Sequence, residues 1–225
     1  MRYFGFLLKN NLLIIVLSCL STFALLGILE SEIHDIQLDK LFLMLNLIWL
    51  WMFVSHTYWV DLSNNMIAKL LVNGGNRKSI WMAKPVASML NAILLVMIEV
   101  VLILYVRGFD FISRNMVIHT LLLSFLMVFW MVGIISLGSV LFKSPIIIII
   151  ASFIYITPYT YYVLDYIFGN TDYNLISINP FYEMLRMYNQ NDIKAESVCF
   201  VLVLGSLLWI ISFVIYNKKE YRNNI

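Results

Sequence analysis

The sequence predicts an all-α integral membrane protein of six transmembrane helices with both termini cytoplasmic. Two observations carry this expectation: an extreme apolar composition, and long uncharged runs spaced by short polar breaks. Of 225 residues, 62% are hydrophobic and 12% charged, and the mean hydropathy is +0.87. A soluble domain is roughly half apolar and about a quarter charged. So few polar side chains cannot cover a water-facing surface, so lipid has to solvate most of the chain.

A helix needs about 20 apolar residues to cross the hydrocarbon core. Runs of that kind occupy Asn11 to Leu29, Leu41 to Val60, Pro85 to Val106, Met116 to Phe142, Pro145 to Phe168 and Ser197 to Tyr216. They form one transmembrane domain over residues 1–225. The first run follows Arg2 and Lys9 as a secretory signal would. It is longer than a signal core, has no small-residue cleavage site, and reads as a retained first helix. Only Lys143 and Ser144 separate the fourth and fifth runs before Pro145. Proline opens helices well and continues them badly, so this point is a tight turn between two helices.

Basic residues set the orientation, because they are retained on the cytoplasmic side. With both termini inside, that side holds Arg2, Lys9, Lys69, Arg77, Lys78, Lys84, Lys143, Lys218, Lys219 and Arg222. The outside keeps Lys40, Arg107, Arg114, Arg186 and Lys194. Acids distribute the other way, with Glu30, Glu32, Asp35 and Asp39 in the first external loop.

Two connections are too long for simple turns. Asp61 to Lys84 is cytoplasmic and has apolar residues at Met66, Ile67, Leu70 and Leu71, then stops at Gly74-Gly75. That spacing predicts a short amphipathic helix at the inner face. Gly169 to Lys194 is external and too apolar for a solvated loop; it reads as re-entrant or interfacial helices broken at Asn179-Pro180.

Signs of catalysis are weak. Gly74 to Ser79 reads GGNRKS, but a phosphate-binding loop needs glycine directly before the lysine and a preceding strand. His34, His56 and His119 are far apart with no paired acidic motif, so a metal has no ligand set in the sequence. His56 and His119 read as interfacial or hydrogen-bonded residues. Cys19 and Cys199 sit in apolar runs without nearby ligands. Glu99 is an acid well inside a predicted span, either functional or neutralised by a neighbour such as His119.

The fifth run places Tyr155, Tyr159, Tyr162 and Tyr166 on one helical face, with Pro158 as a kink point. The second run adds Asn46, Trp49, Phe53 and Thr57 along one side. These residues form either an amphipathic substrate pathway, with Asn46, Trp49, Phe53, Tyr155, Tyr159 and Tyr162 as its lining, or packing plus an ordinary aromatic belt. Gly133, Ser136 and Ser139 make a small-residue face that reads as close helix packing.

The order of these features resembles the permease subunits of type-2 ABC exporters. The resemblance covers nearly the whole chain: six spans with both ends inside, a long cytoplasmic connection after the second, and an apolar external hairpin before the sixth. Its most specific parts are Leu70 to Lys84, LLVNGGNRKSIWMAK, and Asn179-Pro180-Phe181. The family often has a longer amphipathic helix before the first span; Met1 to Asn10, with Tyr3, Phe4 and Phe6, leaves room for a short one.

The resemblance implies a coupling helix within Asp61 to Gly75 that docks on a separate ATPase, with Met66, Leu70, Leu71 and Arg77 in the coupling region. It also implies a homo- or heterodimer of permeases in a bacterial cell membrane. ATP and magnesium would sit on the partner ATPase, and this chain would carry no cofactor, no enzymatic activity and no nucleic-acid partner. Among substrates an amphipathic peptide fits best. A membrane immunity or sensor subunit that binds a peptide in the outer leaflet is the alternative, and it gives the Asp61 to Lys84 connection no special task.

Overall fold

A computed structural model describes residues 5, 7, 11–32, 48–60, 76–107, 114–142, 144–156, 179–190 and 193–218. Among them the chain is helical with no strand. The helices are α1 (Leu12–Glu32), α2 (48–60), α3 (Arg77–Arg107), α4 (Arg114–Leu141), α5 (Pro145–Ile156), α6 (Pro180–Gln190) and α7 (Ala195–Lys218).

Helix starts follow local chemistry. Asn76 caps α3, its side-chain oxygen accepting the Lys78 amide at 2.9 Å. α5 opens on Pro145, whose missing N–H costs nothing in the first turn. α6 combines both devices: Asn179 Oδ1 accepts the Phe181 amide at 3.0 Å, and Pro180 follows as the first helical residue. In α7, Glu196 in the first turn and Lys218 in the last complement the helix dipole.

Among the described residues three helical stretches are long and apolar enough to cross a membrane: Arg77–Leu102, Leu121–Leu141 and Ala195–Lys218. Leu12–Ala24 and Ile146–Tyr155 are shorter apolar helices. The outward faces are correspondingly greasy. α7 exposes Val203, Leu207, Ile210, Ile211 and Val214, and α5 exposes Ile146, Ile147, Ile150 and Ile154. Contiguous faces of this kind suit hydrocarbon and not water.

One boundary departs from the sequence reading. Pro85 was expected to open the third helix; instead α3 begins at Arg77 and carries Pro85 inside. The pre-proline turns are held by tertiary contacts that local propensity does not report. Trp81 packs on Phe213 with ring centroids 5.0 Å apart and meets Trp209 edge-on at 6.2 Å. Arg77 donates to the Asn217 carbonyl at 3.1 Å. Residues 77–84 therefore belong to the bundle, and Lys84 is 4% exposed instead of lying in a solvated connection.

Contacts fix the helix directions. Asn11, ahead of α1, bonds Thr57 near the end of α2, so these helices are antiparallel. Arg77 and Trp81 of α3 meet Asn217 and Phe213 of α7, again antiparallel. α4 and α5 are antiparallel through Trp130–Tyr155 and Gly138–Ile148. α4 and α7 run parallel, with Phe129, Gly133 and Ser136 matched to Gly205, Trp209 and Ser212. One end of the bundle thus gathers Asn11, Thr57, Tyr58, Arg77, Lys84, Val140 and Asn217.

The α4–α7 seam uses the small-residue face expected on α4. A Cβ on Gly133 would lie 3.1 Å from the Trp209 ring; on the side of α4 that meets α5, one on Gly138 would lie 3.2 Å from Ile148. Ser136 and Ser212 share a buried hydrogen bond of 2.8 Å. Interhelical bonds of this type in membrane bundles average about 0.6 kcal/mol. A double-mutant cycle with Ser136→Ala and Ser212→Ala, read by unfolding in mixed micelles, is expected to give a coupling of about that size.

Candidate functional site

Four of the sequence-predicted site residues have described positions. Trp49 and Phe53 lie on α2, Tyr155 on α5, and Arg77 starts α3. Asn46, Met66, Leu70, Leu71, Tyr159 and Tyr162 lie outside the described residues, as do Tyr166, Pro158 and the Asp61 to Gly75 connection. The side chains of Glu99 and His119 are also outside them.

The structure brings α2 and α5 together. Trp51, a neighbour of the predicted residues, donates its indole N–H to Ser152 at 2.9 Å and packs on Phe153 at 4.9 Å. Phe53 is completely buried in the main core cluster, against which Trp49 and Tyr155 also pack. The Trp49 indole nitrogen is buried with no hydrogen-bond partner.

Tyr155 is the hub of a network joining three helices. Its hydroxyl accepts from Trp130 Nε1 at 3.1 Å and donates to Asn179 Oδ1. Because Asn179 also caps α6, the start of α6 is tied to α4 and α5 through one phenol. Phe181 packs on the same ring at 6.1 Å. Further along α6, Glu183 pairs with Arg186 at 2.9 Å.

A second polar group lies across α1, α2 and α3, and the sequence reading did not single it out. His56 Nδ1 sits 2.8 Å from Asn11 Oδ1, Asn11 Nδ2 donates to Thr57 Oγ1 at 2.9 Å, and Thr57 donates to the Phe53 carbonyl at 3.0 Å. The amide and hydroxyl assignments make His56 Nδ1 the donor in this chain of bonds. His56 is thus a hydrogen-bonded residue, as expected. Beside this chain of bonds, Lys84 Nζ lies 5.4 Å from the centre of the Tyr58 ring, within cation–π range.

Along α3, Lys84, Ser88 and Asn91 follow at four and three residues, which puts them on one stripe, and all are buried. The Ser88 hydroxyl and Asn91 Nδ2 have no hydrogen-bond partner, and neither do Thr22 on α1 or Ser55 on α2. A buried unpaired polar group costs about 1–3 kcal/mol. The spacing of Lys84, Ser88 and Asn91 was visible in sequence. Placing the start of the helix at Pro85 hid it by leaving Lys84 in the loop.

No preformed substrate chamber is seen among the described residues. A recess of about 20 Å³ between α3 and α4 is lined by Met89, Ala92, Ile93, Val96, Leu121, Ser124, Phe125 and Val128. That is room for about one water molecule. Among the described residues no three His, Cys, Asp or Glu side chains group together as metal ligands, and Cys19 and Cys199 lie on different helices and form no disulfide.

No protein-family model, no curated protein and no solved structure matches this chain.

Proposed function

We propose that this chain is the membrane-spanning permease subunit of an ATP-driven exporter in a bacterial cell membrane, with six spans and both termini cytoplasmic. In this reading it works as a homo- or heterodimer over separate ABC-type ATPase subunits, which hold ATP and magnesium, and the chain itself is not an enzyme. The favoured cargo is an amphipathic peptide, moved along the faces that carry Trp49, Phe53 and Tyr155, with Asn46, Tyr159 and Tyr162 continuing them.

The observation that carries the reading is the clustering of helix ends. Residue 60, the last described residue of α2, and Asn76, which caps α3, lie at the end of the bundle that also holds Arg77, Lys84 and Asn217. The amphipathic, basic connection between them is therefore anchored at both sides to packed helices. With no nucleotide motif in the chain, work has to enter through such an element, and a packed helix transmits rigid-body motion. Arg77 ties α3 to the last turn of α7, so a push on this connection is delivered to two helices.

Alanine at Leu70 and Leu71 tests the assignment. The double substitution is expected to reduce recovery of the ATPase with the tagged chain by at least tenfold, while expression and membrane insertion remain unchanged. Undiminished co-purification would remove the coupling role.

A further inference from the structure

We propose that the recess between α3 and α4 is a binding site, open to the lipid and built around Ser124, for an uncharged alkyl-chain alcohol dissolved in the membrane. The inference stands apart from the exporter reading and adds a ligand that reaches the chain through the bilayer.

The recess follows from the residues that meet there. Trp81 near the start of α3 clusters with Val140 near the end of α4, so the two helices are antiparallel. Each contributes four lining residues at positions i, i+3, i+4 and i+7, beginning with Met89 on α3 and Leu121 on α4. That spacing is one face of a helix. The second position is the smallest side chain in both sets, Ala92 on one helix and Ser124 on the other. Larger neighbours on either side keep the backbones apart, and the small layer leaves a recess of about 20 Å³.

Ser124 is 3% exposed, and its hydroxyl has no hydrogen-bond partner in the chain. Other serines of the bundle are satisfied close to home. Ser18, Ser21, Ser139 and Ser152 each donate to the carbonyl three residues back at 2.7–2.9 Å, and Ser136 bonds Ser212. Ser55 and Ser88 share the lack of a partner but do not line the recess. An unmet hydroxyl in an apolar wall is costly, so a ligand that bonds Ser124 recovers free energy on entering.

Depth decides where such a ligand comes from. Eight residues separate Ala92 from Lys84, and ten separate Ser124 from Arg114 at the opposite end of the helix pair. At a rise of 1.5 Å per residue these are about 12 and about 15 Å, which together nearly fill a hydrocarbon core of about 30 Å. The recess thus lies near the middle of the bilayer. Ile93 and Phe125 belong to its lining and are also exposed on the outer surface, so they form its rim. Leu90, Leu94 and Met97 continue that exposed face along α3.

These features restrict the chemistry. Phospholipid headgroups do not reach that depth, and a charged group finds no counter-charge in the lining. A water molecule requires two or more polar partners, and the lining side chains supply one. A purely apolar chain leaves Ser124 unmet. An alcohol can both donate to and accept from the serine hydroxyl, place its head in a space of this size, and lay its chain between Ile93 and Phe125. Phe125 stacks on Phe129 with ring centroids 6.3 Å apart, which holds that side of the rim.

The test uses the intact chain, purified and reconstituted in phospholipid nanodiscs, with the diazirine alcohol 3-azioctanol as photolabel. Mass spectrometry is expected to find adducts on 89–96 and 121–128 at least fivefold above those at Val203, Leu207 and Ile210. Those exposed residues of α7 read simple partition into lipid. Octanol is expected to compete for the recess, and octane and octanoate at equal bilayer concentration are expected not to. Ser124→Ala is expected to bring labelling of the recess down to the α7 level. Because the hydroxyl has no partner, this variant is expected to be at least as stable as the native chain in alcohol-free detergent. Ala92→Leu fills the recess and keeps the hydroxyl, and it is expected to abolish the enrichment as well.

Labelling of the α3–α4 face no stronger than that of α7 overturns the site. Octane competing as well as octanol, or undiminished labelling of Ser124→Ala, overturns recognition of the hydroxyl. A Ser124→Ala chain less stable than the native one on detergent titration shows that the serine is already engaged, and overturns its role as the group that meets the ligand. None of these outcomes depends on whether an ATPase co-purifies with the chain.

Discussion

Substitution of Gly205 by leucine is expected to disrupt the α4–α7 contact more than any other single change at that interface. A Cβ built at Gly205 would stand 2.6 Å from Cε1 and 2.8 Å from Cδ1 of Phe129, closer than carbon atoms approach. The ring has little freedom to yield. It is stacked on Trp209 with centroids 5.0 Å apart and lies 6.3 Å from Phe125, while the Trp209 indole is fixed by a 3.2 Å bond to the Phe129 carbonyl. Overpacking a filled site costs about 1–3 kcal/mol, and leucine brings four carbons where even alanine is too large. Loss of monodisperse protein on size exclusion, or a large fall in midpoint on titration with a denaturing detergent, reads the effect. Gly205→Ala is expected to show a smaller loss, and Phe129→Leu combined with it to recover part of that loss, since the clash is with the ring. Equal stability of Gly205→Leu and the native chain would contradict the parallel α4–α7 register.

Asn179→Leu is expected to have the second large effect, concentrated in α6. It removes an N-cap, worth about 0.5–2 kcal/mol, and takes the acceptor from the Tyr155 hydroxyl. Hydrogen exchange of backbone amides in 180–190 is expected to accelerate at least tenfold, with α7 little changed. Tyr155→Phe keeps the cap but leaves the Trp130 indole without its acceptor, so its effect spreads to α4 and is smaller in α6. Because both substitutions break the same bond, the double variant is expected to lose less than the sum of the two. Strict additivity would mean that the phenol does not connect α6 to the bundle.

Much of this arrangement was legible in the sequence where the signal was local. Pro145 after Lys143-Ser144 gave the turn into α5, Asn179-Pro180 gave the start of α6, and the apolar runs gave α1, α4 and α7 to within a few residues. The small-residue face of α4 was also readable, because Gly133 and Ser136 recur at helical spacing. Non-local contacts were not readable. Pro85 looks like a first-turn residue by itself, and only Trp81 on Phe213 and Arg77 on Asn217 show that the helix begins eight residues earlier. The partners of Tyr155 are 24 and 25 residues away, and no periodicity joins a phenol to an asparagine in another helix. The bond from Asn11 to Thr57 crosses 46 residues. Among the predicted pathway residues, burial of Phe53 and engagement of Tyr155 are facts of packing that a helical wheel does not contain.

The central claim is that this chain conducts a substrate with energy supplied by a separate ATPase. Its most direct test is purification of the tagged chain from its native membrane in mild detergent, with mass spectrometry of the partners and an ATPase assay on the eluate. The account predicts a nucleotide-binding subunit in near-stoichiometric amount, with ATP turnover that a catalytic-site substitution in that subunit abolishes. A monodisperse sample of this chain without any ATPase, from membranes shown to retain other ABC complexes intact, would contradict it.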